Sequence, residues 1–114
     1  MKTFTIAELS ANHNHDLDLA KRALLLDLAH IAKPYLSISQ IVLFGSRARG
    51  NFHRTSDFDV CIFCEDEQDF VNYYSDAEDI DTFYSIDVVR FDKISNDALK
   101  CEIQENGVVL YERK

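Results

Sequence analysis

Cationic side chains are scarce in this chain: 12 Lys and Arg stand against 20 Asp and Glu, a formal charge of -8. A surface that tracks a nucleic-acid backbone needs Lys and Arg to neutralise phosphates, so non-specific binding of that class is excluded and no nucleic-acid partner is expected. Long apolar runs are missing as well. No stretch approaches the roughly 18 to 20 apolar residues of a membrane span, and no early apolar run resembles a signal peptide. No membrane contact is expected, and the chain reads as cytoplasmic. Cysteines number three, an odd count, in a strand-like and a helix-like segment. They read as reduced core residues, in keeping with that compartment. With 114 residues, 46% of them hydrophobic, there is room for one domain with a modest core and none for a second.

Residues 1–15 are polar and read as a solvated, flexible lead-in or the start of a helix. His13 and His15 lie two apart, but no Cys or further His stands near them at metal-ligand spacing. From Asp16 to Lys33, Leu17, Ala20, Leu24, Leu28 and Ile31 recur at three- and four-residue steps, with Asp18, Lys21, Arg22 and Asp27 mostly opposite. That spacing predicts an amphipathic helix, which Pro34 ends.

The stretch Ile41-Val42-Leu43-Phe44-Gly45-Ser46-Arg47-Ala48-Arg49-Gly50 carries the chemistry. Four apolar residues in a row, Ile and Val among them, read as a buried strand, and Gly45 permits a sharp turn after it. Ser46 can cap a short helix whose first amides point free, and Arg47 and Arg49 add positive charge beside it. A phosphate would sit well there. The connector Asn51-Phe52-His53-Arg54-Thr55 reads as a surface loop beside the site, with His53 and Arg54 as candidate contacts. Beyond it stands Ser56-Asp57-Phe58-Asp59-Val60. On a strand, Asp57 and Asp59 project from one face while Phe58, Val60 and Ile62 project from the other. Two carboxylates that close repel unless a cation lies between them. Mg²⁺ is usually held by one or two carboxylates together with substrate phosphates, so an anion cradle and a cation clamp joined by ten residues predict a metal-nucleotide site.

The acidic run Glu65 to Asp81, with Phe70, Val71, Tyr73 and Tyr74 in it, reads as a helix with a solvated outer face and then a loop. A docking surface for a basic partner is the other use open to it. Phe83 to Phe91 is strongly beta-like, and Asp87 is its odd member, a carboxylate that needs a partner. Arg90 or another nearby cation can serve. Ser95 or Asn96 caps a last helix running to about Glu105, Asn106-Gly107 stops it, and Val108 to Glu112 closes as a short strand. Cys61 and Cys64 are spaced as Cys-x-x-Cys, but residues three apart on a strand face opposite sides, so neither a disulfide nor a shared metal is expected.

Gly45-Ser46, ten residues, then Asp57-Phe58-Asp59 resembles the Gly-Ser-x10-Asp-x-Asp signature of the DNA polymerase beta-like nucleotidyltransferase superfamily. Arg47-Ala48-Arg49-Gly50, Ser56 and the ending Gly107 to Glu112 resemble its bacterial minimal nucleotidyltransferases (MNT type), so the likeness covers about residues 39–112. Several fixed positions at fixed spacing, with a strand on each side, are far more specific than a lone glycine pattern. The resemblance implies an α+β domain, a mixed sheet of about four strands with helices mainly on one face. It implies that Asp57 and Asp59 bind two Mg²⁺ ions, and that Asp87, as third carboxylate, binds the catalytic one and helps deprotonate the acceptor. It also implies that Gly45 and Ser46 hold the β and γ phosphates of ATP. Arg47 and Arg49 are left with two roles, touching phosphate or bracing the turn.

Larger relatives grip base and acceptor with an additional helical domain that this chain lacks. Minimal nucleotidyltransferases that it resembles are commonly paired with an all-helical HEPN-type toxin, acting as antitoxin by moving AMP from ATP to tyrosines of that toxin. This is the leading expectation. Nucleotidylation of a small hydroxyl compound such as an aminoglycoside is the first alternative, and a non-catalytic module that neutralises a partner by contact is the second. Homodimer and hetero-oligomer both stay open.

Overall fold

A computed structural model describes residues 2–3, 19–49 and 57–113, the side chains of Lys2, Thr3, Leu19, Ala20, Ser46 and Arg49 excepted. Of the lead-in only Lys2–Thr3 is described, and it forms a short strand rather than a flexible segment or helix start; the readings of the rest of it, of His13 and His15, of the helix before Leu19, of Gly50, and of His53, Arg54 and Ser56 lie outside those residues.

Ile38–Phe44 forms the central strand of the sheet, β2, flanked on both sides in antiparallel fashion. It is buried on both faces, which is why its sequence is a nearly unbroken apolar run. Phe58–Cys64 (β3) lies along one side of it, and Ile86–Arg90 (β4) runs parallel to β3 at the edge. On the other side lies Val108–Glu112 (β5), with the two-residue strand Lys2–Thr3 (β1) parallel to it. The order is therefore β1-β5-β2-β3-β4: the expected mixed sheet of about four strands, lengthened by a two-residue edge pairing.

Two helices cover one face. α1 (Leu19–His30) buries Leu24, Leu25 and Leu28, and α3 (Glu67–Glu78) buries Tyr73 and Ala77, all against Ile41, Leu43, Phe58, Val60, Ile62 and Leu110. The Tyr73 hydroxyl donates to the Leu28 carbonyl at 2.7 Å and ties the two helices together. α4 (Asp97–Asn106) covers the opposite face, with Ile103 and Leu99 against Val42, Phe44, Cys61 and Val109. Strand alternation makes this division: Ile41 and Leu43 face α1 and α3, while Val42 and Phe44 face α4. Among the described residues no helix is long and apolar enough to cross a membrane.

Several local expectations need correction. α1 ends at His30 and passes into a tighter turn, Ala32 N–H to Ala29 O and Lys33 N–H to His30 O, because the residue before a proline is disfavoured in helical geometry. Its buried stripe also takes in Leu25, Ala29 and Ala32, wider than the three- and four-residue pattern marked out. β4 starts at Ile86, not Phe83. Among the described residues its one neighbour in the sheet is β3, which starts at Phe58 opposite Ile86; the Ser85 carbonyl accepts from Phe58 N–H at 2.9 Å, and no pairing extends back to Phe83. Cys101 is exposed and is not a core residue, because it sits between the inward positions Leu99 and Ile103 on α4. Asn96 caps that helix, its Oδ1 accepting from Leu99 N–H at 3.2 Å.

Candidate functional site

Gly45 follows β2 with φ +77°, in the left-handed region that side chains rarely adopt. A Cβ placed there would stand 2.6 Å from Oδ2 of Asp59. The missing side chain therefore does two things at once: it lets β2 turn into the short helix α2 (Ser46–Arg49), and it makes room for the Asp59 carboxylate against the turn.

Asp59 is held there by register. It pairs with Phe44 across the antiparallel ladder and with Asp87 across the parallel one. Register partners in a sheet share a face, so Asp59 and Asp87 project side by side from strands about 4.8 Å apart. Asp57, two residues earlier and exposed, projects to that same side, while Phe58, Val60 and Ile62 point into the core. Burial pushes the Asp59 carboxyl above the usual aspartate range, and the charges of Asp87 and Asp57 push it further. Asp87 itself is exposed at the sheet edge. Asp59 thus feels the charge of both other acids. As they stand, no group of three His, Cys, Asp or Glu among the described residues is gathered closely enough to enclose a metal ion. An all-oxygen, like-charged donor set open to solvent suits a hard divalent cation that completes its shell with water and phosphate oxygens rather than with a protein cage. On donor chemistry, Mg²⁺ fits.

Arg47 goes elsewhere. It is only 7% exposed, and its guanidinium lies 4.5 Å from the Phe58 ring centroid and 5.3 Å from that of Tyr84. Those rings meet edge to face, with centroids 5.1 Å apart. Phe58 points to the core side of β3, away from Asp59, so of the two roles open to Arg47 this placement favours bracing the turn. The side chains of Ser46 and Arg49 lie outside the described residues.

Arg90 is not the partner of Asp87. Three residues along the strand, it faces the other way, pairs with Asp92 at 2.7 Å, and donates to the carbonyls of Cys64 and Glu65 at 3.3 and 3.1 Å. The same alternation that separated Cys61 from Cys64 separates Asp87 from Arg90. Both cysteines are free, and burial pushes the Cys61 thiol up to about 12. Sequence reasoning missed the seat of Arg47. No periodicity links Arg47 to Phe58 or Tyr84, and only the crossing of the α2 turn over the start of β3 brings them together.

A glycine bend backs Asp59, with Asp57 and Asp87 near it, and the sequence places the chain in a known family. Residues 27–114 match the family described as polymerase beta, nucleotidyltransferase, and the chain belongs to it. No curated protein sequence matches the chain. Its fold is similar to that of a chain in the crystal structure of a toxin-antitoxin with AMP-PNP, with TM-score 0.59 and 20% identity over 79% of this chain and 74% of that one. It is similar too to a chain of a mutant toxin-antitoxin MntA-HpeT, with TM-score 0.54 and 18% identity over 75% and 70%. A protein of Sulfolobus solfataricus assigned as a nucleotidyltransferase shares the fold at TM-score 0.52 and 21% identity over 80% and 79%. Within its family, then, this is a minimal nucleotidyltransferase domain with an MntA-like fold.

Proposed function

We propose that the chain is a Mg²⁺-dependent nucleotidyltransferase that moves AMP from ATP to a hydroxyl acceptor, a tyrosine of an all-helical HEPN-type toxin, and so acts as its antitoxin in the cytoplasm. The observation that carries this reading is Asp59, set against Gly45 on one side and in register with Asp87 on the other. Toxin-antitoxin structures among the fold's neighbours, one of them with AMP-PNP, support the choice of nucleotide and of partner.

Transfer forms a bond between the acceptor oxygen and the α-phosphorus, breaks the bond from that phosphorus to the bridging oxygen, and releases pyrophosphate. Its barrier lies mainly in charge and positioning. Two bound Mg²⁺ ions supply the positive charge that stabilises the attacking and leaving oxygens. Asp57 and Asp59 hold them. The backbone of the turn at Gly45 and Ser46 receives the β and γ phosphates. Asp87 takes the hydroxyl proton on a carboxylate oxygen and adds its charge to the cation site. A division of labour follows from exposure: the half-buried Asp59 is fixed, whereas the exposed Asp87 at the sheet edge is open to an incoming acceptor.

The test uses purified protein, Mg²⁺, ATP labelled at the α-phosphate, and the protein encoded beside this chain's gene. Label is expected on a tyrosine of that protein and is expected to vanish with Asp57→Ala or Asp59→Ala. No transfer by the wild type, or undiminished transfer by either variant, rejects the reading.

A further inference from the structure

On the face that carries α1 and α3, opposite the one from which the carboxylates project, the surface has an opening that transfer chemistry does not explain. Two hollows of about 430 and about 370 Å³ adjoin there and share Ile80, Thr82 and Tyr84. The first runs along α3 and the edge of β4, reaching Ser85, Ile86 and Val88, the residues on either side of Asp87. The second lies between α1 and the loop after α3. Phe83, at the second hollow, is fully exposed at 103%, and Tyr74 and Val71 add an exposed apolar strip on α3 at 41% and 50%. A grouped apolar surface of this kind marks a contact site rather than scattered exposure.

Charge identifies what fits it. The hollows carry Asp27, Glu78 and Asp81, and among the described residues no Lys, Arg or His lines either one. Arg47, whose guanidinium lies 5.3 Å from the Tyr84 ring centroid, is buried. A second copy of this chain would bring the same three acids against these. Nucleic acid and anionic lipid would bring phosphates. Only a polypeptide with cationic and apolar side chains together satisfies both the rim and the floor.

We propose that this face is the docking surface for a segment of a partner protein bearing Lys or Arg among apolar residues, with Phe83 as the inserted anchor. The hollow reaches Ile86 and Val88 on the edge strand, so a segment seated there that continues round the edge of β4 presents a hydroxyl to Asp87 on the other face. This last consequence, and only this one, rests on the transfer reading above. β4 is the last strand of the sheet, and among the described residues no strand pairs with its outer side, so the approach from the hollow to Asp87 is open.

The experiment is isothermal titration of the full chain, without ATP, against the protein encoded beside its gene. Compared with wild type, Phe83→Ser and Asp81→Lys are each expected to raise Kd at least tenfold, and together at least a hundredfold. Both positions are exposed, and an unchanged melting temperature checks the fold. Leu36→Ser, an exposed apolar residue outside both hollows at 76%, is expected to leave Kd unchanged. A double variant within twofold of wild type, equal weakening by Leu36→Ser, or no complex with the wild type overturns the proposal. Running the labelled-ATP assay on the same proteins separates the two ideas. Transfer with Kd unaffected by the substitutions removes the docking surface alone, whereas variant-sensitive binding without transfer removes the reaction alone.

Discussion

Gly45 and Asp59 compete for one volume: a Cβ on the glycine would lie 2.6 Å from the carboxylate Oδ2, at a backbone φ of +77° that L side chains avoid. Gly45→Ala therefore meets two penalties. The left-handed strain costs about 1–2 kcal/mol, which lowers the melting temperature of a domain this size by several degrees. The displaced carboxylate lowers nucleotidyl transfer by far more than that loss of stability explains, by about a hundredfold or more if the misplacement reaches ~1 Å. Thermal scans and single-turnover transfer on the same sample check the pair.

Asp59 works against the fold that holds it. Its carboxyl is raised by burial, then by Asp87 and Asp57, so the folded protein retains its proton at a pH where the unfolded chain, near about 3.9, has released it. More protons on the folded state means that stability contributed by this group falls as pH rises through that window and stays low above it. Asp59→Asn is expected to melt above wild type in EDTA at pH 7, with the difference shrinking as pH falls toward about 4 and absent below it. Added Mg²⁺ is expected to raise the wild-type midpoint and leave that of the variant unmoved. Calorimetry across pH, with and without Mg²⁺, reads all three.

Arg47 separates bracing from phosphate contact. Cation–π contacts with Phe58 and Tyr84 are worth about 0.5–2 kcal/mol, depending on desolvation, and depend on the flat guanidinium. Arg47→Lys keeps the charge, yet is expected to lower the melting temperature and slow turnover with the KM for ATP changed less than threefold. A large rise in KM with unchanged melting would instead assign Arg47 to the phosphate.

The three thiols are expected to react in order of access. Cys101 is exposed, Cys64 intermediate, and Cys61 buried with its thiol pushed up to about 12. A thiol-directed reagent at pH 8 labels Cys101 first, and Cys61 is labelled only on unfolding. Mass mapping of a labelling time course checks the order, and no Cys61–Cys64 disulfide is expected under mild oxidation.

Legibility followed the range of the physics involved. The pairing of Gly45 with a downstream Asp-x-Asp could be read because both lie within short segments of strong local preference, a strand, a turn and a strand. The apolar, aromatic character of Phe83 to Ser85 suggests a strand three residues longer than β4, but the ladder with β3 begins only at Ile86. Strand alternation alone turns Arg90 away from Asp87, since residues three apart on a strand face opposite sides. Cys101 was placed in the core because apolar character is a property of the residue, whereas burial belongs to the face of α4 it happens to occupy.

What the amino-acid order alone determined is the alternation along each strand, and with it the face on which Asp57, Asp59 and Asp87 stand. That is local covalent geometry, which needs no knowledge of the neighbours. Only the tertiary structure decided that β4 would lie parallel to β3 in the register that sets Asp87 beside Asp59, that Arg47 would pack beneath two rings, and that Phe83 would stand free over an acidic hollow. Register and packing come from the burial of the whole sheet between α1, α3 and α4, a property of many residues at once that no single segment carries.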